Sequence, residues 1–311
     1  MSFWRDRRVL VTGAHGFFGS HIVDALRARG VPGPALVAPT SCEADLRDRA
    51  ACERVVRGVD LVIHLAARTG GIGLHAEHPG EAFFDTALAG LLVMDAARRA
   101  GVPKFVGIGT TCSYPRAAPL PFREDSLWDG APEPVTGAYG FAKSMLLVQG
   151  QAYRREYGFE AIHLIPVNLY GPRDRFDERA SHVVAALVRR FVEAAEAGAD
   201  SVTVWGTGAA TRDFLYVEDA AEAVLLACER YGDAEPLNLG SGQETKIAEL
   251  AALVAACAGF QGEIRWDASR PDGTPRRCVD VARAREHLGF EPRTPLRTGI
   301  QRTVDWYRGH R

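Results

Sequence analysis

A tyrosine and a lysine four positions apart have side chains that could exchange protons with a substrate. Tyr139 and Lys143 occur in the stretch Tyr-Gly-Phe-Ala-Lys, near the start of a helical pattern over 138–157. Residues four apart lie on the same face of a helix. An ammonium beside a phenol favours the phenolate and lowers its pKa from about 10, so the pair can pass a proton to or from a carbonyl or alcohol oxygen. The spacing occurs often by chance, so its meaning depends on the surrounding motifs.

A glycine-rich turn, Gly13-Ala14-His15-Gly16-Phe17-Phe18-Gly19, lies between a strand pattern and a helical pattern. In such a turn the first glycine permits the tight bend, the second leaves room for a pyrophosphate, and the third lets the helix approach the strand. The helix N-terminus offers free N–H groups to the diphosphate. The turn therefore predicts a nicotinamide dinucleotide site, against the alternative of a turn with no ligand. After the second predicted strand, residues 37–41 provide neither an acidic residue for a ribose 2′-hydroxyl nor an arginine for a 2′-phosphate.

Hydroxyl and thiol groups follow the fourth predicted strand. Thr110, Thr111 and Cys112 come directly after Gly109, at the edge of the sheet where ligands bind in this architecture. A threonine hydroxyl here could hydrogen-bond a substrate carbonyl. Cys112 fits two interpretations, a small buried thiol or a reactive group at a strand end.

The elements that must position these groups alternate between strand and helix through the first half of the chain. This order predicts right-handed βαβ units and a Rossmann-type doubly wound parallel sheet in an α/β fold. Beyond Pro166 the rhythm changes, which predicts a smaller C-terminal α/β substrate lobe. We expect the dinucleotide-binding domain at 1–170, with 211–240 returning to it, and the substrate lobe at 171–210 and 241–311. The predicted strands are 8–12, 35–38, 60–65, 104–108, 161–165, 202–205 and 237–239, and the predicted helices are 21–29, 45–57, 81–100, 138–157, 181–197, 218–229 and 247–256.

Composition argues against several classes of protein. Among 311 residues, 37 Lys and Arg nearly balance 39 Asp and Glu, so a nucleic-acid partner is not expected. No apolar run reaches the roughly 18 residues that a membrane span needs, and no signal-peptide pattern precedes the first strand. The six cysteines are scattered without a close pair, which argues against a disulfide framework and against a metal site. We therefore expect no membrane association, no metal and a cytoplasmic location.

With these motifs the chain resembles the extended short-chain dehydrogenase/reductases, and within them the GDP-L-fucose synthase family. The resemblance runs nearly end to end. Its most specific elements are Gly70-Gly71-Ile72, Ser181-His182-Val183 and the segment 271–276, Pro-Asp-Gly-Thr-Pro-Arg. It also covers His64-Leu65-Ala66-Ala67, Thr111-Cys112-Ser113-Tyr114-Pro115, residues 166–172, Trp205-Gly206-Thr207-Gly208 and Arg212-Asp213-Phe214.

The resemblance implies an NAD(P)-dependent epimerase-reductase that converts GDP-4-keto-6-deoxy-D-mannose to GDP-L-fucose. It places epimerisation at C3 and C5 on Cys112 and His182, and protonation at C4 on Tyr139 with Lys143, Thr110 and Thr111. The expected cofactor-binding residues are Gly13, His15, Gly16, Phe17, Phe18, Gly19, Leu65, Ala66, Ala67, Lys143, Pro166, Asn168 and Leu169. The expected substrate-binding residues are Asn168, His182, Arg190, Trp205, Arg212, Asp272 and Arg276; Trp205 fits core packing equally well.

Several positions depart from the family pattern. Two serines usual before the cysteine are Thr110 and Thr111, which keep the hydroxyl. Asparagines common after Gly-Gly-Ile and on the following helix are replaced by His75, Thr86 and Leu91, so the substrate could differ. His15 replaces an arginine that helps to hold an NADP 2′-phosphate. NADP(H) is the expected cofactor, with NAD(H) as the second option.

Two other functions are weighed against this one. A related enzyme of a polysaccharide or secondary-metabolite pathway could only epimerise or only reduce a GDP-hexose or GDP-heptose. A non-catalytic dinucleotide sensor is disfavoured, because such proteins typically lose the tyrosine or the lysine, and this chain keeps Tyr139 and Lys143. By the resemblance, helices 81–100 and 138–157 should form the two-fold interface of a homodimer.

Overall fold

The computed structural model describes residues 3–178, 181–270 and 272–311. Its first half alternates strands and helices as the apolar pattern predicts. These elements are β1 (Val9–Thr12), α1 (Phe17–Ala28), β2 (Leu36–Val37), α2 (Arg49–Val55), β3 (Leu61–His64), α3 (Ile72–Glu77), α4 (Pro79–Arg99), β4 (Lys104–Ile108), α5 (Pro134–Tyr157) and β5 (Glu160–Pro166).

The second half has shorter strands between its helices. Its elements are β6 (Asn168–Tyr170), α6 (Val183–Glu196), β7 (Ser201–Trp205), β8 (Thr211–Tyr216), α7 (Val217–Arg230), β9 (Leu237–Leu239), β10 (Glu244–Lys246), α8 (Ile247–Ala258), β11 (Glu263–Asp267), β12 (Arg276–Arg277), α9 (Ala282–Leu288) and α10 (Leu296–His310). Three 3₁₀ turns, Gly33–Ala35, Thr111–Ser113 and Glu124–Ser126, complete the assigned helices of the described residues.

The main sheet has the order β2-β1-β3-β4-β5-β9, and every neighbouring pair in it is parallel. The chain moves outward from β1 to β2 and then returns to place β3 on the other side of β1. This reversal opens a crevice at the carboxyl ends of β1 and β3, which is where ligands bind in open α/β sheets. The predicted Rossmann-type α/β fold is confirmed.

Two apolar layers cover the main sheet. Helices α1 and α7 pack on one face, and their core includes Val11, Ile63 and Val224. Helices α2, α4 and α5 cover the other face, with Leu10, Val62 and Leu146 in the core. Strands β1, β3 and β4 are buried on both faces, because crossover helices lie on each side of a parallel sheet.

A second apolar core forms the smaller lobe. Helices α6, α8 and α10 enclose it, together with β7 and β8. In this lobe β8 pairs with β10, β12 and β6, and β11 pairs with β7. Strand β9 belongs to the main sheet, and Val279, Ala284 and Leu288 pack in the α1–α7 core. The boundaries between the two lobes stay a prediction.

The regular elements of the first half agree closely with the prediction, and β4 matches it residue for residue. Strands β6, β8, β10, β11 and β12 and helices α3, α9 and α10 lie outside the predicted elements. The strands among them are two to six residues long, too short for a periodic pattern to stand out. No helix in the described ranges combines the length and apolar character that crossing a membrane requires.

Candidate active site

The glycine turn after β1 has the geometry of a dinucleotide cradle. Gly13 has φ +70°, and a Cβ there would lie 2.9 Å from the Ala66 nitrogen. A Cβ on Gly19 would lie 2.1 Å from the Gly13 carbonyl oxygen. Gly16 caps α1 without a side-chain hydrogen bond, and the first turn of the helix carries no acidic residue. The N–H groups at this helix end therefore remain free to meet an anionic diphosphate.

The predicted cofactor residues lie at the carboxyl ends of neighbouring strands. Phe17 and Phe18 begin α1 after β1, Ala67 follows β3, Pro166 ends β5, and Leu169 lies in β6. The first two of these strands are tied together at their ends, because Thr12 Oγ1 accepts hydrogen bonds of 3.2 Å from the N–H groups of Leu65 and Ala66. The parallel pairing of β1, β3, β4 and β5 brings these ends to one edge.

His15 lies beside the end of β2. Its Nε2 is 2.9 Å from the Ala38 carbonyl oxygen, and the ring is exposed. Glu43 lies close enough for its carboxylate to interact electrostatically with His15. Dinucleotide folds distinguish a ribose 2′-hydroxyl from a 2′-phosphate at this end of the sheet. The surroundings of His15 thus combine an imidazole and a carboxylate where the family pattern has an arginine.

Tyr139 and Lys143 are both buried on the inner side of α5, with 9% and 2% of their surfaces exposed. Burial raises the pKa of Tyr139, and a side-chain hydrogen bond with Thr69 opposes that rise. This differs from the lowering that the sequence led us to expect, because loss of water outweighs any effect of the lysine on the phenol. Burial also lowers the pKa of Lys143 to about 8.

Two buried histidines lie in the sheet close to Lys143. His64 and His163 flank Gly107 in register across β3, β4 and β5. His64 Nδ1 is 2.8 Å from Thr12 Oγ1, whereas His64 Nε2 and His163 Nδ1 are enclosed without a hydrogen-bond partner in the described residues. Burial lowers the pKa of each histidine to about 3, and the positive charge of Lys143 adds to this effect.

The turn that carries Cys112 is fixed against α5. Thr110 Oγ1 accepts a 3.2 Å hydrogen bond from the Cys112 N–H, and Ser113 Oγ donates to the Gly140 carbonyl at 2.9 Å. A Cβ on Gly140 would lie 2.3 Å from the Cys112 carbonyl oxygen. Thr111, in the same turn, is buried. The approach of α5 to this turn places Cys112 close enough to Tyr139 for the two groups to interact electrostatically.

An arginine from the smaller lobe reaches the Cys112 sulfur. Arg277 Nη1 donates to Cys112 Sγ at 3.5 Å. Arg277 pairs in register with Arg212 across β12 and β8, and Arg212 also interacts electrostatically with Cys112. Burial lowers the pKa of Arg212 to about 10, with the charge of Arg277 as a second cause. The predicted Arg276 instead forms an exposed ion pair with Glu244.

His182 is the N-cap residue of α6 and is half-exposed. Its Nδ1 lies 3.9 Å from the Oδ1 of Asp174, whose side chain is only 3% exposed. Asp174 Oδ2 is enclosed and has no hydrogen-bond partner in the described residues. His75, from α3, lies near both His182 and Tyr139. The four groups thus form a chain of neighbours from Asp174 through His182 and His75 to Tyr139, and Tyr139 in turn lies near Cys112.

The remaining predicted substrate residues lie on the smaller lobe and at its boundary. Trp205 is 59% exposed and therefore is not a core residue. The guanidinium carbons of Arg190 and Arg270 lie 5.8 and 5.1 Å from its ring centroid.

Asn168 Nδ2 donates to the Asp213 carbonyl at 3.1 Å. Asp272 accepts two hydrogen bonds of 2.6 Å from Thr207, so it stabilises the turn after β7. Pro271 of the predicted segment lies outside the described residues.

Sequence reasoning missed Thr69, Asp174 and Arg277. Arg277 was overlooked beside Arg276, although neighbouring residues of a strand point to opposite faces. A strand of two residues gives no pattern from which to choose between them. Asp174 stands eight positions before His182, and this spacing alone does not indicate that the two side chains lie 3.9 Å apart.

Comparison with known proteins shows the family to which the chain belongs. Residues 9–240 match the NAD dependent epimerase/dehydratase family. GDP-L-fucose synthase 1 of Arabidopsis thaliana is 40% identical, covering 97% of this chain and 94% of that protein. A GDP-L-fucose synthetase from Naegleria fowleri, solved bound to NADP, has a TM-score of 0.88 at 29% identity, covering 99% and 96% of the two chains. A GDP-6-OMe-4-keto-L-xylo-heptose reductase from C. jejuni has a TM-score of 0.90 at 25% identity, covering 97% and 98%.

These similarities extend over nearly the whole chain. The chain therefore belongs to the NAD dependent epimerase/dehydratase family, among the extended short-chain dehydrogenase/reductases, and within it to the GDP-L-fucose synthases.

Proposed function

We propose that this enzyme converts GDP-4-keto-6-deoxy-D-mannose to GDP-L-fucose, by epimerisation at C3 and C5 followed by NADP(H)-dependent reduction at C4. One observation carries the proposal: the Cys112 thiol, with Arg277 at 3.5 Å, lies on a turn packed against the helix of Tyr139 and Lys143. Proton abstraction from carbon and protonation of a C4 oxygen can therefore occur around one bound sugar.

The epimerisations need a base and an acid. The 4-keto group acidifies the protons on C3 and C5, so a thiolate at Cys112 can remove a proton from one face. His182, held near the buried carboxylate of Asp174, can return a proton to the other face. The enolate oxygen formed between these events is stabilised by hydrogen-bond donors, and Tyr139 and a threonine hydroxyl are suited to this role.

Reduction uses the groups on α5. Bound NADPH supplies the hydride that reduces C4. Tyr139 gives its proton to the C4 oxygen, which becomes the hydroxyl of the product. Lys143, buried beneath it with a lowered pKa, forms no ion pair within the described residues, so its ammonium is available to hydroxyl groups of a ribose. The glycine cradle would hold the diphosphate of the dinucleotide.

The GDP part of the substrate meets the smaller lobe. We assign its diphosphate to Arg212, because a guanidinium can bind two phosphate oxygens at once. The exposed face of Trp205, flanked by Arg190 and Arg270, offers a surface on which a guanine can stack. Asn168, at the start of β6, lies between the two lobes, and we assign it to the binding of both the dinucleotide and the GDP-sugar.

A direct assay tests this function. Purified enzyme is mixed with GDP-4-keto-6-deoxy-D-mannose and NADPH in D₂O, and the product is analysed by NMR. Formation of GDP-L-fucose with deuterium at C3 and C5, and equimolar NADPH oxidation, is the expected result. Tyr139→Phe should abolish reduction; unchanged turnover of this variant would overturn the mechanism.

The second candidate function is a single-step enzyme, and it is favoured by the similarity in structure to the heptose reductase. NADPH oxidation without deuterium incorporation would identify a reductase. Deuterium incorporation without NADPH oxidation would identify an epimerase. Either result would contradict the two-step function and assign the narrower one.

A homodimer formed through α4 and α5 is a further part of the proposal. Phe84 on α4 is 60% exposed, and Phe141, Met145 and Val148 form an exposed apolar stripe along one face of α5. Contiguous exposed apolar surface commonly marks an interface. Light scattering should give the mass of two chains for the wild type and of one chain for Phe141→Asp. A wild-type monomer would contradict the proposal.

We also propose a cytoplasmic location, since all six cysteines are free.

A further inference from the structure

His75 is a buried imidazole beside Tyr139, and the proposed proton transfers do not use it. It belongs to α3, which packs against α5, and only 6% of its surface is exposed. Its ring centroid lies 4.8 Å from that of Tyr139, at an interplanar angle of 34°. It is also close enough to His182 for the two rings to interact electrostatically. His75 therefore adjoins both groups that handle protons in the proposed reaction.

The ring nitrogens of His75 make no hydrogen bonds within the part of the chain that the structure describes. Of the two, Nδ1 is enclosed. Burial lowers the pKa of the imidazole, and the charge of His182 lowers it further. His75 is therefore neutral near pH 7 and carries one ring proton. Because Nδ1 is the enclosed nitrogen, a proton on Nε2 leaves no enclosed donor unpaired.

Two other buried histidines provide a comparison. His64 Nδ1 lies 2.8 Å from Thr12 Oγ1. His163 Nδ1, like that of His75, is enclosed without a hydrogen-bond partner in the described residues, but His163 lies within the sheet, whereas His75 packs against the ring of Tyr139. His78, only three residues after His75, is half-exposed and lies 3.9 Å from Glu81. Burying an unpaired polar group destabilises a protein, and the exceptions occur where a ligand or a catalytic role uses the group. His75 packs against Tyr139, so a group bound at Tyr139 would lie near the imidazole.

We propose that His75 is a further substrate-binding residue, which donates a hydrogen bond from Nε2 to an oxygen of the hexose bound between Tyr139 and Cys112. This inference rests on the proposed function and names the contact that recognises the sugar. The imidazole is rigid and reaches farther from the backbone than the asparagine usual at this position. It therefore fixes the hexose against the Tyr139 ring and makes α3 a determinant of which 4-keto sugar is accepted.

Binding measurements on two variants separate this role from packing. His75→Phe keeps a ring against Tyr139 and removes both nitrogens, whereas His75→Gln places an amide donor near the position of Nε2. Calorimetry should show that His75→Phe binds GDP-L-fucose about tenfold more weakly, the loss expected for one hydrogen bond. Its affinity for GDP, which has no hexose, should be unchanged. His75→Gln should recover most of the affinity for GDP-L-fucose, and His78→Gln, the exposed control, should match the wild type.

The outcomes distinguish this inference from the proposed function. Equal affinity of wild type and His75→Phe for GDP-L-fucose would overturn the role of His75. Equal weakening of GDP-L-fucose and GDP binding in both His75 variants, with a lowered Tm, would also overturn it, because that result indicates packing alone. Failure of the wild type to convert GDP-4-keto-6-deoxy-D-mannose would instead contradict the proposed function, and the binding comparison would still decide the contact.

Discussion

Arg277 places a guanidinium nitrogen 3.5 Å from the sulfur of Cys112, although 165 positions separate the two residues. Strand β12, which carries Arg277, pairs with β8 of the smaller lobe, whereas Cys112 follows β4 of the main sheet. The contact therefore joins the two lobes at the proposed base. A cation beside the sulfur stabilises a thiolate relative to a thiol.

Replacing Arg277 should slow epimerisation. Arg277→Gln removes the charge next to the sulfur, and a hydrogen bond to a charged group contributes about 1.5–3 kcal/mol. Deuterium incorporation at C3 and C5 should fall about 10- to 100-fold, with the Kd for NADPH unchanged. Arg265→Gln, which removes an exposed partner of Glu263, is the control. Wild-type exchange in Arg277→Gln would show that the contact has no catalytic effect.

Burial of Lys143 should make the free energy of unfolding increase as the pH rises from about 8 to 10.5. Its pKa is lowered from 10.5 to about 8 in the folded chain, so its contribution to stability is fully present above pH 10.5. This contribution is lost as the pH falls through about 8, where the buried amine must gain a charge. Lys143→Met should therefore be more stable than the wild type at pH 7, by on the order of 3 kcal/mol. Urea unfolding at several pH values measures this difference, which should shrink toward pH 10.5.

His163 should make the protein sensitive to acid. Its pKa is lowered from 6.5 to about 3, so the stability that it contributes is present above pH 6.5 and is lost as the pH falls toward 3. When the pH falls from about 7.5 to about 5, the unfolding free energy of the wild type should decrease by about 2 kcal/mol more than that of His163→Leu. Parallel loss in the two proteins would show that folding does not lower the pKa of His163.

Gly140 should be required for the position of the Cys112 turn. A Cβ there would meet the Cys112 carbonyl oxygen at 2.3 Å, and backbone atoms can yield only by moving the turn. Gly140→Ala should lower stability by about 1–3 kcal/mol and lower kcat at least tenfold. Gly80→Ala is a suitable control, because no atom lies within 4 Å of its added Cβ. A Gly140→Ala enzyme with wild-type kcat would refute this requirement.

His15 should control the preference between the two dinucleotides. An arginine in its place would supply a permanent charge for a 2′-phosphate and would offset the nearby Glu43 carboxylate. His15→Arg should therefore increase the ratio of kcat/KM for NADPH to that for NADH about tenfold. The variant leaves Ala38, whose carbonyl oxygen lies 2.9 Å from His15 Nε2, unchanged. An unchanged ratio would place the recognition of the 2′-phosphate elsewhere.

The sequence by itself determined the main sheet and the family of the enzyme. Alternating apolar runs and helical patterns are local signals, and each strand buried on both faces, such as β4, can be read without knowledge of its neighbours. The glycine turn and the Tyr139–Lys143 spacing are also local, so their positions on a turn and on a helix followed directly. Cys112 could be placed at the edge of the sheet because it lies four residues after the end of β4.

Only the tertiary structure decided how the site is completed. The choice of Arg277 over Arg276 depends on the register of a two-residue strand with β8, and the environment of His75 depends on how α3 packs against α5. The pKa of Tyr139 was expected to fall and instead rises, because burial of the phenol is a property of the folded chain. Local spacing specifies which groups share an element, whereas desolvation and contacts between distant segments arise only when the lobes pack.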